Sequence, residues 1–257
     1  VPPVGPDAEP TLAALQSIGS VPFDGFSVAT NPVAKPRMSA LALSALIQQR
    51  IGKPATLHCT TRDHNRLSIQ GLLWGARALG IASVLVATGD FVALGDRARV
   101  TTVRDTDVFA LVRMAREAGL DTGVVLDPHP ESDGLEDQVR RLERKIEAGA
   151  QFAVTQPVYD EAGARMLYDT TRHLGIPIIL GILPLHSVRH AWFLHHKVAG
   201  IAVPEHVQER MRKAADPVAE GAASAREMLN IARQWFAGAC IMPPFDHYQV
   251  LFDILPV

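Results

Sequence analysis

An α/β barrel of alternating strands and helices is the fold this sequence predicts, and three observations predict it. Short apolar runs without polar alternation recur at 55–58, 83–87, 123–126, 152–155, 176–180 and 239–242. Such runs read as strands covered on both faces, as in a parallel sheet. Each follows an amphipathic segment that closes on a glycine, at Gly52, Gly80, Gly119, Gly149, Gly175 and Gly238. Glycine just past a helix end supplies the left-handed cap that turns the chain back into a strand. Helix, loop and strand together repeat at roughly thirty residues, the size of a βα unit.

Taken in order, the helical period is clear at 38–50, where Leu41, Ala45 and Leu46 share a face, and at 65–79, where Ile69, Leu72, Leu73, Ala76 and Leu79 do. Segments 106–118, 135–148 and 161–173 show the same period with charged outer faces. Adding the run 26–30 and a first strand ending at 1–4 brings the strands to eight, and right-handed parallel crossovers then close a (βα)8 TIM barrel. An open doubly wound sheet is the alternative, disfavoured because no GxGxxG follows the first strand. Segments 187–198, 204–214 and 218–236 are more helix than one crossover requires, so extra helices are expected before the last strand. No linker long enough to mark a second domain is visible, so 1–257 is expected to form a single barrel domain.

Composition narrows the function classes. The chain has 257 residues, 47% hydrophobic and 20% charged, with a formal net charge of −2. It can bury a sizeable core, and it offers no basic face to a phosphate backbone, so nucleic acid is not an expected partner. The apolar stretch 176–185 is broken by Pro177, Gly181 and Pro184 and falls short of the ~20 residues a bilayer needs, so no membrane segment is expected. Cys59 and Cys240 are the two cysteines and neither lies in a CxxC pair, which fits a reducing, cytoplasmic setting. The chain begins at Val1 without a methionine or a charged-then-apolar leader, so the first strand is expected to be truncated.

In a barrel the strand ends converge on one rim. Here they are Thr30 and Asn31, His58 and Thr60, Thr88 and Asp90, Asp127 and His129, Thr155 and Gln156, then Gly181. For any one of them a satisfied turn residue is the ordinary case, and it is the convergence of so many that points to a site. No HExxH, no His-Cys cluster, no GxSxG elbow and no Walker loop is present, so neither a catalytic metal nor a serine nucleophile is expected. Gln156, Thr88, Thr60 and Asn31 are neutral hydrogen bonders suited to a heterocycle with alternating donors and acceptors. Asp90 suits an amidine-like edge such as a 2-amino-4-oxo pyrimidine, which a carboxylate holds through two hydrogen bonds. Arg144 and Lys145 could meet a phosphate if they face the rim, with solvated surface charge the plainer reading.

Ordered motifs carry a family resemblance. Leu57-His58-Cys59-Thr60-Thr61-Arg62-Asp63-His64-Asn65, Ala87-Thr88-Gly89-Asp90, Lys145-Ile146-Glu147-Ala148-Gly149-Ala150, Thr155-Gln156-Pro157-Val158-Tyr159-Asp160 and Gly181-Ile182-Leu183-Pro184 resemble, in that order, the motifs of 5,10-methylenetetrahydrofolate reductases. Asn31-Pro32 leading to Arg37-Met38-Ser39, and Met242-Pro243-Pro244-Phe245, extend the pattern over nearly the whole chain. The likeness is greatest to the branch found as a reductase half beside homocysteine methyltransferases.

The resemblance implies reduction of a folate methylene by a hydride from NADH or NADPH, either through FAD or directly. It implies that Asp90 is the catalytic carboxylate that also contacts the pterin, with Thr88 and Gln156 as further substrate contacts. His58, Thr60, Gly89, His129, Arg144 and Lys145 fall on cofactor-lining positions. The family's general acid is a glutamate three places before a Pro-Pro pair, and here that pair is Pro2-Pro3, so the acid is expected upstream of Val1. Where the flavin enzymes carry an acid and an asparagine this chain has Gln138 and Arg141, and the loop Asp127-Pro128-His129-Pro130 lacks the family tyrosine. A non-catalytic folate-binding or partner subunit on the same barrel is the alternative, and a corrinoid-linked methyl transferase acting on pterins is a third. A folate is the expected small-molecule partner, with a homo-oligomer one assembly open to the chain.

Overall fold

The computed structural model describes residues 1–90, 92, 100–103, 105–128, 134–198 and 200–255. Its helices are α1 (Glu9–Gln16), α2 (Ala40–Ile51), α3 (Arg66–Ala78), α4 (Val108–Glu117), α5 (Leu135–Glu147), α6 (Glu161–Thr171), α7 (Val188–Lys197), α8 (Glu205–Lys213), α9 (Pro217–Trp235) and α10 (Val250–Ile254). The strands are β1 (Phe26–Val28), β2 (Ala55–Thr60), β3 (Ser83–Ala87), β4 (Asp121–Leu126), β5 (Phe152–Pro157), β6 (Ile178–Ile182) and β7 (Gly238–Ile241). Their order in the sheet is sequential, β1-β2-β3-β4-β5-β6-β7. Parallel strands in sequential order with helices between them give an α/β fold of the TIM-barrel class, and the expected extra helices before the last strand are α7, α8 and α9.

Seven strands are described among these residues, one fewer than expected: Val1–Val4 form no strand. The reason is local, because Pro2 and Pro3 have no N–H to give to a ladder, and the Pro3 carbonyl accepts the Met38 N–H at 2.9 Å instead. Five of the six helix-closing glycines do adopt left-handed geometry, Gly52, Gly80 and Gly119 at φ 76°, Gly149 at 114° and Gly175 at 70°. Gly238 is different: α9 ends on Phe236 in extended geometry (φ −120°) and Gly238 is already the first residue of β7.

The chain divides into two compact units. The first, residues 1–19, 23–124 and 144–151, holds β1 to β3 and α1 to α4. Within it β1 pairs with β2 from Phe26 opposite Ala55, β2 with β3 from Thr56 opposite Ser83, and β3 with β4 from Ser83 opposite Asp121, all parallel. Its helices α3 and α4 begin on side-chain caps, with Asn65 accepting the Ser68 N–H at 2.9 Å and Asp107 the Ala110 N–H at 2.7 Å. Leu43, Ile47, Leu57, Ile69, Leu73, Ile81, Leu111 and Leu120 are fully buried.

The second unit, residues 20–22, 125–143 and 152–257, holds β5 to β7 and α6 to α10. Its strands pair in parallel, β5 with β6 and β6 with β7. Tyr159, Leu185, Ala191, Leu194, Ile201, Val203, Val207 and Met211 form a buried cluster of this unit, so α7 and α8 add core to the unit as well as length to the crossover. α9 packs against α6, α8, α10, β6 and β7.

Candidate active site

One buried guanidinium ties three strand ends of the first unit together. β2 runs into Thr61 and Arg62, and the Arg62 side chain is only 5% exposed. It donates from Nε to Asp63 Oδ1 at 2.5 Å and from Nη2 to Asp63 Oδ2 at 2.7 Å, a two-pronged pair. Nη2 also reaches the Asn31 carbonyl beyond β1 at 3.0 Å, and Nη1 reaches the Asp90 carbonyl beyond β3 at 3.1 Å. Asn31 Nδ2 donates in turn to Asp63 Oδ2 at 3.1 Å. Burial alone would raise the Asp63 carboxyl, but the hydrogen bonds from Arg62 and Asn31 outweigh it and hold the group below the usual carboxylate range. The Asp63 hydrogen bond and charge keep the guanidinium firmly protonated.

Asp90 lies three residues past β3 and is exposed. Its Oδ2 accepts the Val33 N–H at 2.5 Å, and Oδ1 has no hydrogen-bond partner among the described residues. The donor loop is strained, with Asn31 at φ 40°, Val33 at 51° and Ala34 at 55°, a left-handed region that a β-branched valine rarely visits. Gly89 has φ 85°, and a Cβ there would sit 3.0 Å from Arg62 Cβ and 3.2 Å from Thr60 Cβ. The glycine therefore serves close backbone approach to the end of β2. Thr88 is exposed, and its carbonyl accepts the Thr61 hydroxyl at 3.3 Å.

On β2, His58 and Thr60 share one face. His58 Nε2 lies 2.7 Å from Ser27 Oγ on β1, and burial pushes the imidazole down to about 4, so it is neutral at physiological pH. Thr60 is 4% exposed, and its Oγ1 is buried with no partner among the described residues. The neighbouring Cys59, on the other face, is pushed up to about 12 by burial and is an inert core thiol. At the end of α5, Lys145 is buried, whereas Arg144 is exposed with its guanidinium 4.4 Å over the Phe109 ring. His129 lies outside the described residues.

In the second unit the end of β5 is irregular: its register with β6 shifts between Val154 and Pro157, and Gln156 falls inside that shift, half-buried. Such bulges re-aim side chains at functional edges. The Thr155 hydroxyl accepts the Gly181 N–H at 2.8 Å, and a Cβ at Gly181 would run into the Thr155 carbonyl and the Gln156 backbone. Gly181 thus holds the chain on either side of Gln156, its N–H on the Thr155 hydroxyl and its carbonyl on the Val158 N–H at 3.1 Å.

Thr60, Thr88, Gly89 and Asp90 are therefore gathered at the ends of two adjacent strands, His58 lies two residues back along β2, and Gln156 stands at a strand end of the other unit. Sequence reasoning missed Arg62 and Asp63 as individual site residues. An adjacent Arg-Asp pair ordinarily reads as solvated surface, and the available signal was its position directly after an apolar strand. Among the described residues no group of three or more His, Cys, Asp or Glu is placed to hold a metal, and no helix is long and apolar enough to cross a membrane.

Comparison with known proteins bears on this arrangement. The family model described as methylenetetrahydrofolate reductase matches residues 1–239. A 5,10-methylenetetrahydrofolate reductase of Pectobacterium carotovorum subsp. carotovorum is 27% identical over 196 residues, covering 73% of this chain and 63% of the relative. A probable methylenetetrahydrofolate reductase (NADPH) of Caenorhabditis elegans is 24% identical over 173 residues, covering 66% of this chain and 26% of the relative. The chain thus spans less than two thirds of the length of either relative. Among solved structures, 2,3-dimethylmalate lyase, of the PEP mutase/isocitrate lyase superfamily, superposes with a TM-score of 0.54 at 16% identity over 96% of this chain and 76% of that one, a likeness of fold alone. With the motifs in order and the family model matched from Val1 to Gly238 and one residue beyond, the chain belongs to the methylenetetrahydrofolate reductase family.

Proposed function

We propose that this chain reduces 5,10-methylenetetrahydrofolate to 5-methyltetrahydrofolate with a hydride from NADH or NADPH. The observation that carries the reading is Asp90, an exposed carboxylate just past the end of β3, with one oxygen fixed by a main-chain N–H and the other without a described partner. In the reaction the bond from the bridging methylene to N10 breaks as N10 takes a proton, leaving a cationic iminium between the methylene and N5. The hydride adds to that carbon, the iminium electrons return to N5, and the nicotinamide leaves oxidised. A held carboxylate stabilises positive charge as it develops in this step, which is where differential stabilisation accelerates the reaction. Gln156, which both donates and accepts, suits the alternating edge of a pterin.

Three side chains on the cofactor-lining positions speak against a resident flavin dinucleotide. The Arg144 cation lies over the Phe109 ring, His58 Nε2 is engaged by Ser27 Oγ, and Thr60 Oγ1 is wholly buried. We therefore derive no step through FAD and favour direct transfer, which needs only that donor and acceptor carbons be held close and aligned. The test is oxidation of NADH or NADPH by the purified full-length protein, expected only when the methylene folate is present and without a flavin absorption band. Folate binding with no oxidation of either nucleotide would overturn the catalytic reading in favour of a folate-binding subunit, and a flavin band that bleaches and returns during turnover would overturn the direct route.

A further inference from the structure

The hydrogen bonds around Asp90 close into a ring through two nitrogens of Arg62. Arg62 Nη1 holds the Asp90 carbonyl, Arg62 Nη2 holds the Asn31 carbonyl, and two residues beyond Asn31 the Val33 N–H holds the Asp90 carboxylate. Both the backbone of Asp90 and the direction of its side chain thus depend on one guanidinium. Asp63 fixes that guanidinium from the far side through two bonds, and Asn31 Nδ2 ties Asp63 back to the same loop. The arrangement costs something to keep: the guanidinium is withdrawn from water, and Asn31, Val33 and Ala34 are held at positive φ. Gly89, pressed against the Arg62 stem, completes the fit.

We propose that Arg62 is a positioning residue that acts through Asp90. Its forked donors set the place and orientation of that carboxylate, and Asp63 holds the fork in register. The geometry demands arginine in particular. A lysine keeps the charge but is a point donor that cannot span Asp63, the Asn31 carbonyl and the Asp90 carbonyl together. This inference rests on the assignment of Asp90 to the reaction, so its test separates the two claims.

The test is a double-mutant cycle in the full-length protein on Arg62→Lys and Asp90→Asn, with kcat and the folate KM measured for both single variants and the double. Arg62→Lys is expected to lower kcat by roughly 10- to 100-fold with a much smaller change in KM, the loss expected when a reacting group is displaced by about an ångström. In the Asp90→Asn background the same change is expected to have almost no further effect. Additive losses would overturn the proposal, since Arg62 would then act independently of Asp90. Wild-type turnover in Asp90→Asn would instead remove Asp90 from the mechanism, and the positioning role with it. Should Arg62→Lys fail to give the native near-ultraviolet dichroism, Asp63→Asn carries the same cycle. A kcat loss there that persists undiminished in the Asp90→Asn background overturns the proposal, and one that vanishes supports it.

Discussion

At residue scale the site depends on a few backbone positions, and stability depends on two imidazoles kept neutral. Gly89 combines a φ of 85° with contacts that leave no room for a methyl group, so Gly89→Ala is expected to cost about 1–3 kcal/mol, read from denaturant unfolding, and to lower turnover by shifting Asp90. Gln156→Ala is expected to raise the folate KM several-fold with kcat little changed, since its amide is assigned to binding that is equal in ground and transition states; steady-state kinetics checks this. His58 and His190 are both pushed down to about 4, by burial first and, for His190, by His186 as well. An unfolded imidazole titrates near 6.5, so between 6.5 and 4 the unfolded chain binds protons that the folded chain does not. Stability from these groups is thus full above pH 6.5 and is lost as the pH falls toward 4. Thermal midpoints measured across that window should fall, and should fall less in a His58→Gln variant.

At the scale of elements, periodicity and capping were written in the chain and tertiary register was not. Every helix expected from the apolar period is present within about two residues at either end, the ordinary uncertainty of helix ends. The short α1 and α10 were not foreseen. α1 buries only Leu12 and Leu15 in its eight residues, and α10 spans just five, so neither is long enough for its period to stand out. The Gly221 position shows what sequence pattern cannot express. It lies inside α9 with no turn to make, yet a Cβ there would run directly into the Leu185 carbonyl of the segment after β6. A mid-helix glycine lowers helix propensity, so in an isolated helix Gly221→Ala would stabilise. Here it is expected to destabilise by about 3 kcal/mol, measured by urea unfolding, because backbone oxygen cannot move aside as a flexible side chain can.

At the scale of the whole molecule, the sequence by itself determined the fold class, the strand order and the candidate rim. Those follow from properties that are local along the chain: a helical apolar period, a left-handed glycine after five of the helices, and an apolar run bounded by polar strand ends. Thr88-Gly89-Asp90 was legible as a candidate site because it stands directly at such a boundary. What only the tertiary structure decided is what surrounds Asp90. Asn31, Val33, Arg62 and Asp63 come from loops far from it in sequence, and they meet only because parallel pairing sets the ends of β1, β2 and β3 side by side. Burial then does the rest, turning an Arg-Asp pair that would be solvated on an open surface into a fixed clasp, because a guanidinium withdrawn from water must satisfy its donors on whatever acceptors the fold brings to it.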